Sequence, residues 1–270
     1  MTKKEREFQT FLIEWYAKCG RHDLPWRQTH DPYLILVSEL MLQQTQVVRV
    51  IPKYEAFILE YPTVDDLAAA SLGDVLRLWQ GLGYNRRAKF LLQCAQQVSQ
   101  ANQGVFPSMY DELLRLPGIG PYTASAICAF AYNQSVELIE TNVRQVMIHH
   151  FFAGRESVSD TEILEQVRRT LPADNARAWY AALMDYGSHL KALNGNNTRI
   201  VSGYSKQSTF KGSTREVRAA IIRILSKGSY SHAELLKALA HYDIGKIQPQ
   251  LDALLEDEMI AVTKDTYHLP

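Results

Sequence analysis

Apolar residues recur at helical spacing almost throughout the first two hundred positions. No alternating strand pattern of useful length precedes residue 258. The segments with helical spacing are 8–16, 33–41, 64–70, 72–79, 86–100, 110–115, 123–131, 141–152, 160–170 and 176–190. Short proline- and glycine-containing stretches separate them. The first region is therefore predicted to be all-α.

The chain changes character near Asn194, where a polar and basic stretch begins that is typical of a linker or extended strap. Three short amphipathic helices and then two brief strands are predicted beyond it, over 215–226, 231–241, 245–256, 259–262 and 266–269. Three helices and a hairpin are typical of a winged helix-turn-helix, although a three-helix module with a frayed tail fits as well. The predicted domains are 1–193, a linker 194–213, and a winged-helix-like module 214–270.

Composition restricts the class of protein more than its activity. The hydrophobic fraction of 46% and the charged fraction of 21% are ordinary for a soluble globular protein, and the sequence predicts neither a secretory signal nor a bilayer span. A formal net charge of 0 means that any nucleic-acid surface must be a local basic patch. Three cysteines, an odd number far apart, suit a reducing cytoplasm and cannot supply a four-thiolate cluster or a zinc site. No metal site is predicted, because the adjacent His149 and His150 face different directions on a helix.

The most informative short segment is LPGIGPYT at residues 116–123, which lies between two predicted helices. Gly118 and Gly120 permit a tight turn, because glycine tolerates positive φ. Gly120 also leaves backbone N–H groups open at the start of the next helix, where the helix dipole favours an anion such as a phosphate. An ordinary corner between two helices explains this segment alone equally well.

Four further segments make an ordinary corner between helices the weaker explanation of the hairpin. They are LPWR (24–27), SELMLQQTQ (38–46), GLGY (81–84) and ETNVR (140–144). Together with the hairpin they resemble the helix-hairpin-helix DNA glycosylase superfamily, and specifically its adenine-glycosylase (MutY-like) branch. Their order and spacing fit over about residues 5–190, some two thirds of the chain. The resemblance implies a two-lobed helix-hairpin-helix fold that binds duplex DNA with a mismatched or damaged base.

Cleavage of an N-glycosidic bond needs an acid that protonates the leaving base and a negative charge beside the developing sugar cation. Glu39 matches the family's general acid, and its apolar surroundings in the sequence favour a protonated carboxyl. Glu140 stands where the family has an aspartate, and Thr141 replaces the glycine that follows it. Glu140 either does the same work from a shifted backbone, or serves another substrate geometry, or marks a site that binds DNA and cleaves poorly.

The resemblance assigns two more residues to the catalytic site. Tyr122 occupies the position of the Schiff-base lysine in the endonuclease III branch, and a phenol cannot form that adduct. A monofunctional glycosylase that leaves an abasic site is therefore expected, with Tyr122 forming the pocket of the flipped base or hydrogen-bonding near Glu140. Asn142 is expected to orient the site, although a helix cap is an equal alternative.

The target base must leave the duplex, and DNA-contacting residues must fill the gap. Gln44 and Tyr84 match the family's intercalating positions, and Arg27 matches a contact to the flipped base, with Trp26 packed in the core beside it. The other residues that the resemblance assigns to DNA are Gln43, Thr45, Arg87, Gly118, Gly120 and Thr123. Arg86, Arg87 and Lys89 are candidates for neutralising phosphates, or a solvated basic face.

The chain departs from the family in two ways. After MDYGS at residues 184–188 there is no cysteine, whereas the family holds an iron–sulfur cluster there, so we expect no cofactor. Lys191, Arg199, Lys206 and Lys211 are expected to supply positive charge near DNA instead. Second, residues 214–270 are too few and too helical for the strand-rich C-terminal domain with which the family senses oxidised guanine opposite adenine.

The sequence leaves three functions open. Base excision of adenine ranks first, thymine or uracil removal opposite guanine second, and a catalytically weak DNA-binding lesion sensor or regulator third. The protein is expected to be a cytoplasmic, nucleoid-associated monomer with no role at a membrane.

Overall fold

Helices make up nearly all of the regular structure. The computed structural model describes residues 1–202 and 209–270. Its helices are α1 (Lys3–Cys19), α2 (Pro32–Leu42), α3 (Val47–Glu60), α4 (Val64–Ala68), α5 (Leu72–Leu78), α6 (Arg86–Asn102), α7 (Tyr110–Leu113), α8 (Pro121–Phe130), α9 (Thr141–Phe151), α10 (Asp160–Thr170), α11 (Ala176–Asn194), α12 (Thr214–Leu225), α13 (His232–Ala238) and α14 (Ile244–Glu256). Short 3-10 turns lie at Pro25–Arg27 and Thr198–Ile200. The all-α prediction for the first region is confirmed, and none of the helices in the described ranges has the length and apolar character needed to cross a bilayer.

One helix, α3, is absent from the sequence prediction. Pro52 lies inside it, and an interior proline removes one backbone hydrogen bond and usually ends a helix. Burial of Val50, Tyr54 and Phe57 along one face of α3 offsets that cost. The packing of the helix therefore overrides its local sequence preference.

The chain divides into two compact units, and each is assembled from separate stretches of sequence. Within the described residues the first unit comprises 1–39, 107–115 and 119–202, and the second comprises 40–106, 116–118 and 209–270. The C-terminal module thus belongs to the same unit as α3–α6. The domain limits at residues 193 and 214 remain a prediction.

The first unit buries large side chains where α1, α9 and α11 pack together. Leu12, Met147 and Trp179 are fully buried there. The ring of Phe8 meets Trp179 edge-on, with 5.7 Å between the ring centroids. This packing fixes the first turn of α9, which carries the second candidate carboxylate.

The C-terminal module has the winged-helix order that the sequence predicts. Strands β1 (Tyr230–Ser231), β2 (Ala261–Thr263) and β3 (Thr266–His268) form an antiparallel sheet in the order β1-β3-β2. Strand β1 is not part of the predicted hairpin, because a strand of two residues is too short to show an alternating pattern. The core of the module contains Ile221, Leu235 and Leu251.

The module packs on α5 and α6 of the second unit through hydrogen bonds and ion pairs. The backbone N–H of Gly73 donates to the terminal Pro270 carbonyl at 2.7 Å. Arg86 forms a bidentate pair with Asp257 at 2.9 and 2.7 Å, and Lys89 donates to Glu258 at 2.7 Å. Residues 214–270 are therefore part of the second unit and not a tethered appendage.

Candidate active site

Glu39 is a buried carboxylic acid in an otherwise apolar helix. It is 5% exposed, and Leu36, Val37 and Leu40 around it in α2 are buried. Burial raises the pKa of Glu39 to about 7, while the hydrogen bond from Tyr122 and the charge of Arg27 hold it lower than burial alone would. At neutral pH a large fraction of this carboxyl is therefore protonated, as a general acid requires.

Tyr122 lies in the first turn of α8 and contacts the acid directly. Its hydroxyl donates to Glu39 Oε2 at 2.8 Å. Burial, together with the charges of Glu39 and Glu140, raises the pKa of Tyr122 well above its usual value, so the phenol remains a donor. The hydrogen bond expected near Glu140 is thus made to Glu39, and both carboxyls act on the phenol electrostatically.

Glu140 is the N-cap of α9. Its Oε1 accepts the backbone N–H groups of Asn142 at 2.7 Å and Val143 at 2.8 Å, and its Oε2 accepts from Asn142 Nδ2 at 3.2 Å. The pKa of Glu140 is raised on balance, because burial outweighs these three donors and the charge of Arg144, all of which favour the anion. Extended backbone at Glu140 (φ −149°, ψ −177°) lets the longer side chain reach back to the helix. Of the two roles predicted for Asn142, the helix cap is wrong, because Glu140 caps α9; the orienting role fits, since Asn142 holds the Glu140 carboxylate through its backbone N–H and its side-chain amide.

The start of α9 lies against Gly187 in α11. A Cβ at Gly187 would stand 2.4 Å from the Asn142 carbonyl oxygen. Any side chain at this position would push away the turn that carries Glu140. Gly187 lies in the MDYGS segment, but no local pattern in the sequence indicates this role.

Arg27 is held by Asp185, a contact that no local pattern in the sequence indicates. Its guanidinium donates to Asp185 at 3.4 Å and to the Tyr16 hydroxyl at 3.0 Å, and its side chain is mostly buried. Asp185 is itself buried; its Oδ1 accepts two bonds from the Arg21 guanidinium, and its Oδ2 accepts the Arg21 backbone N–H. Arg27 thereby brings positive charge to Glu39, which fits a role inside the pocket better than one on the surface.

These side chains provide an acid and a second carboxyl, the two groups that base release requires. A protonated carboxyl, Glu39, is held by a phenol, and a second carboxyl, Glu140, is held by the N–H groups of a helix N-terminus. The two carboxyls influence each other electrostatically. Such a pair suits glycosidic cleavage, with one group as acid and the other stabilising a cation.

The predicted intercalating residues lie in the second unit, on strained backbone. Gln44 and Tyr84 have φ of 56° and 47°, in the left-handed region that non-glycine residues seldom occupy. Gln44 is exposed, and Tyr84 is 38% exposed. Strain of this kind costs about 1–3 kcal/mol per residue and is typical of functional turns.

Arg87 holds both of these turns from inside. Its guanidinium donates to the carbonyls of Gln43 at 2.7 Å, Leu82 at 3.1 Å and Gly83 at 2.9 Å, and also to that of Leu40. The side chain is buried. The prediction that Arg87 contacts phosphate is therefore wrong, because its N–H groups are used by carbonyls; it is a positioning residue. Thr45 assists through bonds to the Gln43 and Leu82 carbonyls at 3.2 and 3.4 Å.

Replacement of Arg87 by leucine is expected to lower the free energy of unfolding by about 3 kcal/mol, since each buried acceptor left without a donor costs about 1–3 kcal/mol. DNA affinity should fall with it, because both turns lose their support. Urea unfolding and DNA binding measure the two effects. Wild-type stability would contradict the positioning role.

The hairpin at residues 116–123 has the predicted local geometry in part. Gly118 has φ +72°, and a Cβ there would stand 2.4 Å from Phe90 Cβ, so glycine is required. Gly120 is the N-cap of α8 and offers no side-chain cap. Thr123 is buried, so a DNA contact from it is limited to its backbone N–H.

Some of the basic residues predicted to bind phosphate are paired with acidic side chains, and others are exposed. Arg86 and Lys89 are paired with Asp257 and Glu258, which removes them as simple phosphate contacts. Lys191, Arg199 and Lys211 are exposed, and Lys206 lies outside the described residues. Within the described ranges no group of three or more His, Cys, Asp or Glu side chains is arranged to hold a metal ion.

The relatives of this chain are DNA repair proteins. A protein of Mycolicibacterium smegmatis named adenine DNA glycosylase is 36% identical over 94% of this chain and 92% of its own length. A match of that extent necessarily reaches into residues 214–270. An adenine DNA glycosylase of Buchnera aphidicola is also 36% identical, over 67% of this chain, which spans about half (52%) of that relative.

Comparison of structures gives a related result. A thermostable thymine-DNA glycosylase superposes with a TM-score of 0.63 and 27% identity, over 69% of this chain and 87% of that chain. The family model described as "HhH-GPD superfamily base excision DNA repair protein" matches residues 37–172, which include Glu39, Tyr122 and Glu140. The chain belongs to the HhH-GPD superfamily of base excision DNA repair proteins.

Proposed function

We propose that this chain is a monofunctional DNA glycosylase that removes adenine from a mispaired duplex. The observation that carries the proposal is the buried Glu39 carboxyl, whose pKa is raised to about 7 and which accepts the Tyr122 hydroxyl. The adenine substrate is supported by relatives of that name that match over nearly the whole chain.

The chemistry follows from the two carboxyls. The Glu39 proton passes to a ring nitrogen of the base while the bond between C1′ and the base nitrogen breaks, and the bonding electrons leave with the base. Glu140, anchored by Asn142, stabilises the positive charge on the sugar. Water then adds to C1′ and loses a proton, which leaves an abasic site in an intact strand.

A panel of duplexes tests the substrate. Adenine opposite guanine and opposite oxidised guanine, thymine opposite guanine, and uracil opposite guanine are each incubated with excess protein, and alkali-labile sites are measured. Product from the adenine duplexes alone supports the proposal. Product from the thymine or uracil duplexes favours the second candidate, removal of thymine or uracil opposite guanine. The similarity to a thymine-DNA glycosylase supports that candidate. Binding without any product favours a lesion sensor.

The lack of strand cleavage rests on Tyr122, which stands where a lyase of this superfamily has its amine. A phenol forms no Schiff base with the abasic sugar. Borohydride added during the reaction is expected to trap no covalent protein–DNA adduct, with a lysine-dependent endonuclease III as positive control. An efficient adduct would contradict the monofunctional assignment.

The protein is also proposed to work without an iron–sulfur cluster. Its last cysteine is Cys128, so the segment after α11 has no thiolate ligand and does not fit such a group. The buried Gln145 amide instead donates to the Gly195 carbonyl at 2.9 Å and accepts the Asn197 N–H at 3.1 Å, which ties this segment to α9. Iron analysis of the purified protein is the measurement that decides this.

A further inference from the structure

A groove of about 1030 Å³ lies within the second unit, between the turn at residues 81–84 and helix α12 of the C-terminal module. Tyr84 and Gln44 line it on one side, and Arg215, Arg223 and Phe210 line it on the other. The module therefore contributes half of a surface whose other half carries the strained turns.

The charge of this groove differs from that of the whole chain. Six arginines and a single acidic residue, Glu216, line it, although the formal net charge of the protein is 0. Two of the six, Arg86 and Arg218, share the single negative charge of Asp257, and the guanidinium of Arg87 is buried and bonded to backbone carbonyls. Arg49, Arg223 and Arg215, whose guanidinium also bonds the Tyr84 hydroxyl and the Thr209 carbonyl, give the groove its basic lining. It is the local basic patch that a neutral DNA-binding chain requires.

Exposed aromatic rings are concentrated in the same place. Among the described residues four aromatic side chains are strongly exposed, and three of them line the groove: Tyr84 (38%), Phe90 (42%) and Phe210 (53%). Single exposed rings are ordinary, but several in one place mark a surface that binds a ligand or partner. Aromatic rings interleaved with arginines are typical of surfaces on which unstacked bases lie while the phosphates are neutralised.

Arg215 joins the module to the intercalating turn. Its Nη1 donates to the Tyr84 hydroxyl at 2.5 Å, and its guanidinium carbon lies 5.6 Å from the centroid of the Tyr84 ring. The guanidinium of Arg87 lies at the same distance from that ring. Tyr84 is thus oriented by one arginine of the glycosylase region and by one of the module.

We propose that this groove binds a DNA strand, with its bases on Tyr84, Phe90 and Phe210 and its phosphates on Arg215 and Arg223. The winged-helix-like module is then part of the DNA-binding surface and contributes through α12. This inference rests on the proposed function only in taking DNA as the ligand.

The test measures the binding of a fluorescein-labelled adenine–guanine duplex by anisotropy at several salt concentrations. The double variant Arg215→Ala/Arg223→Ala is expected to bind about tenfold more weakly at 0.1 M salt. The slope of log K against log salt should decrease in magnitude by about 2, because two phosphates are no longer neutralised by the protein. Phe210→Ala is expected to bind about tenfold more weakly through the absence of stacking, and with an unchanged salt slope.

Two controls make the result specific. Arg155→Ala removes an exposed arginine of the first unit that pairs with Glu162, and it should bind DNA as the wild type does. Arg223 and Phe210 are exposed, so their removal spares the fold, and thermal melting checks this. Wild-type affinity in all groove variants, or an equal reduction in Arg155→Ala, would overturn the proposal.

The same experiment separates this inference from the proposed function. Base release by the wild-type protein tests the glycosylase activity, whereas the groove variants are compared by affinity. If the wild type releases no base but the groove variants still bind DNA more weakly, only the proposed catalytic activity is contradicted. If the wild type is active and the groove variants bind DNA normally, only the proposed role of the groove is contradicted.

Discussion

Replacement of Glu39 by glutamine is expected to lower the rate of base release by about 10²–10⁴-fold, the usual contribution of a general acid. Glutamine retains the shape and still accepts the Tyr122 hydrogen bond, but it has no proton to give to the leaving base. Single-turnover kinetics with excess protein measures the chemical step. The wild-type rate should itself fall as pH rises through about 7, where Glu39 loses its proton.

The same variant should become more stable relative to the wild type as pH rises. An unfolded glutamate ionises near 4.5, whereas Glu39 keeps its proton to about 7. Between these pH values the native protein binds the extra proton, so its free energy of unfolding falls with increasing pH. Glu39→Gln lacks this decrease, and its relative gain reaches on the order of 3 kcal/mol above pH 7, at 1.36 kcal/mol per pKa unit.

Glu165 provides a matched control, because it is an exposed glutamate in the same unit. Glu165→Gln should leave the rate unchanged and should not show the rise in relative stability between pH 4.5 and 7. A Glu39→Gln protein that releases base at the wild-type rate would contradict the role of Glu39 as the acid.

Replacement of Glu140 separates negative charge from helix capping. Glu140→Gln keeps an oxygen that can accept the N–H groups of Asn142 and Val143 but removes the charge. Base release should fall by about 10²–10³-fold, as when one stabilising group beside a developing charge is removed. Glu140→Asp keeps the charge and places a good N-cap residue there, so its rate should remain within about tenfold of the wild type.

Ser159 supplies the control for capping alone. It caps α10 in the same unit through a reciprocal bond with Glu162. Ser159→Ala should lower the free energy of unfolding by about 1 kcal/mol without changing the single-turnover rate. Equal rates for Glu140→Gln and the wild type would reduce Glu140 to a helix cap.

Much of the fold followed from the sequence because its signals were local. The helical spacing of apolar residues predicts most of the helices, and the turn at Gly118 follows from the need for positive φ. Helix α3 was missed because Pro52 gives a local signal that packing overrides. Strand β1 was missed because two residues carry no periodicity.

The site was predicted less completely, because its remaining features depend on distant contacts. A buried Glu39 follows from its apolar neighbours, but nothing local indicates that Tyr122 bonds it or that Asp185 holds Arg27. An arginine is usually exposed, so the buried Arg87 was mistaken for a phosphate contact. The pairing of Arg86 with Asp257, 171 residues away, has no signature in the sequence at all.

Detection of the free base released from an adenine–guanine duplex tests the central claim most directly. With excess wild-type protein at pH 6–7 we expect about one equivalent of free adenine per duplex and a strand that breaks only after alkali treatment. Glu39→Gln should release almost none over the same time. Free adenine from both proteins at equal rates, or a strand cut without alkali, would contradict the account.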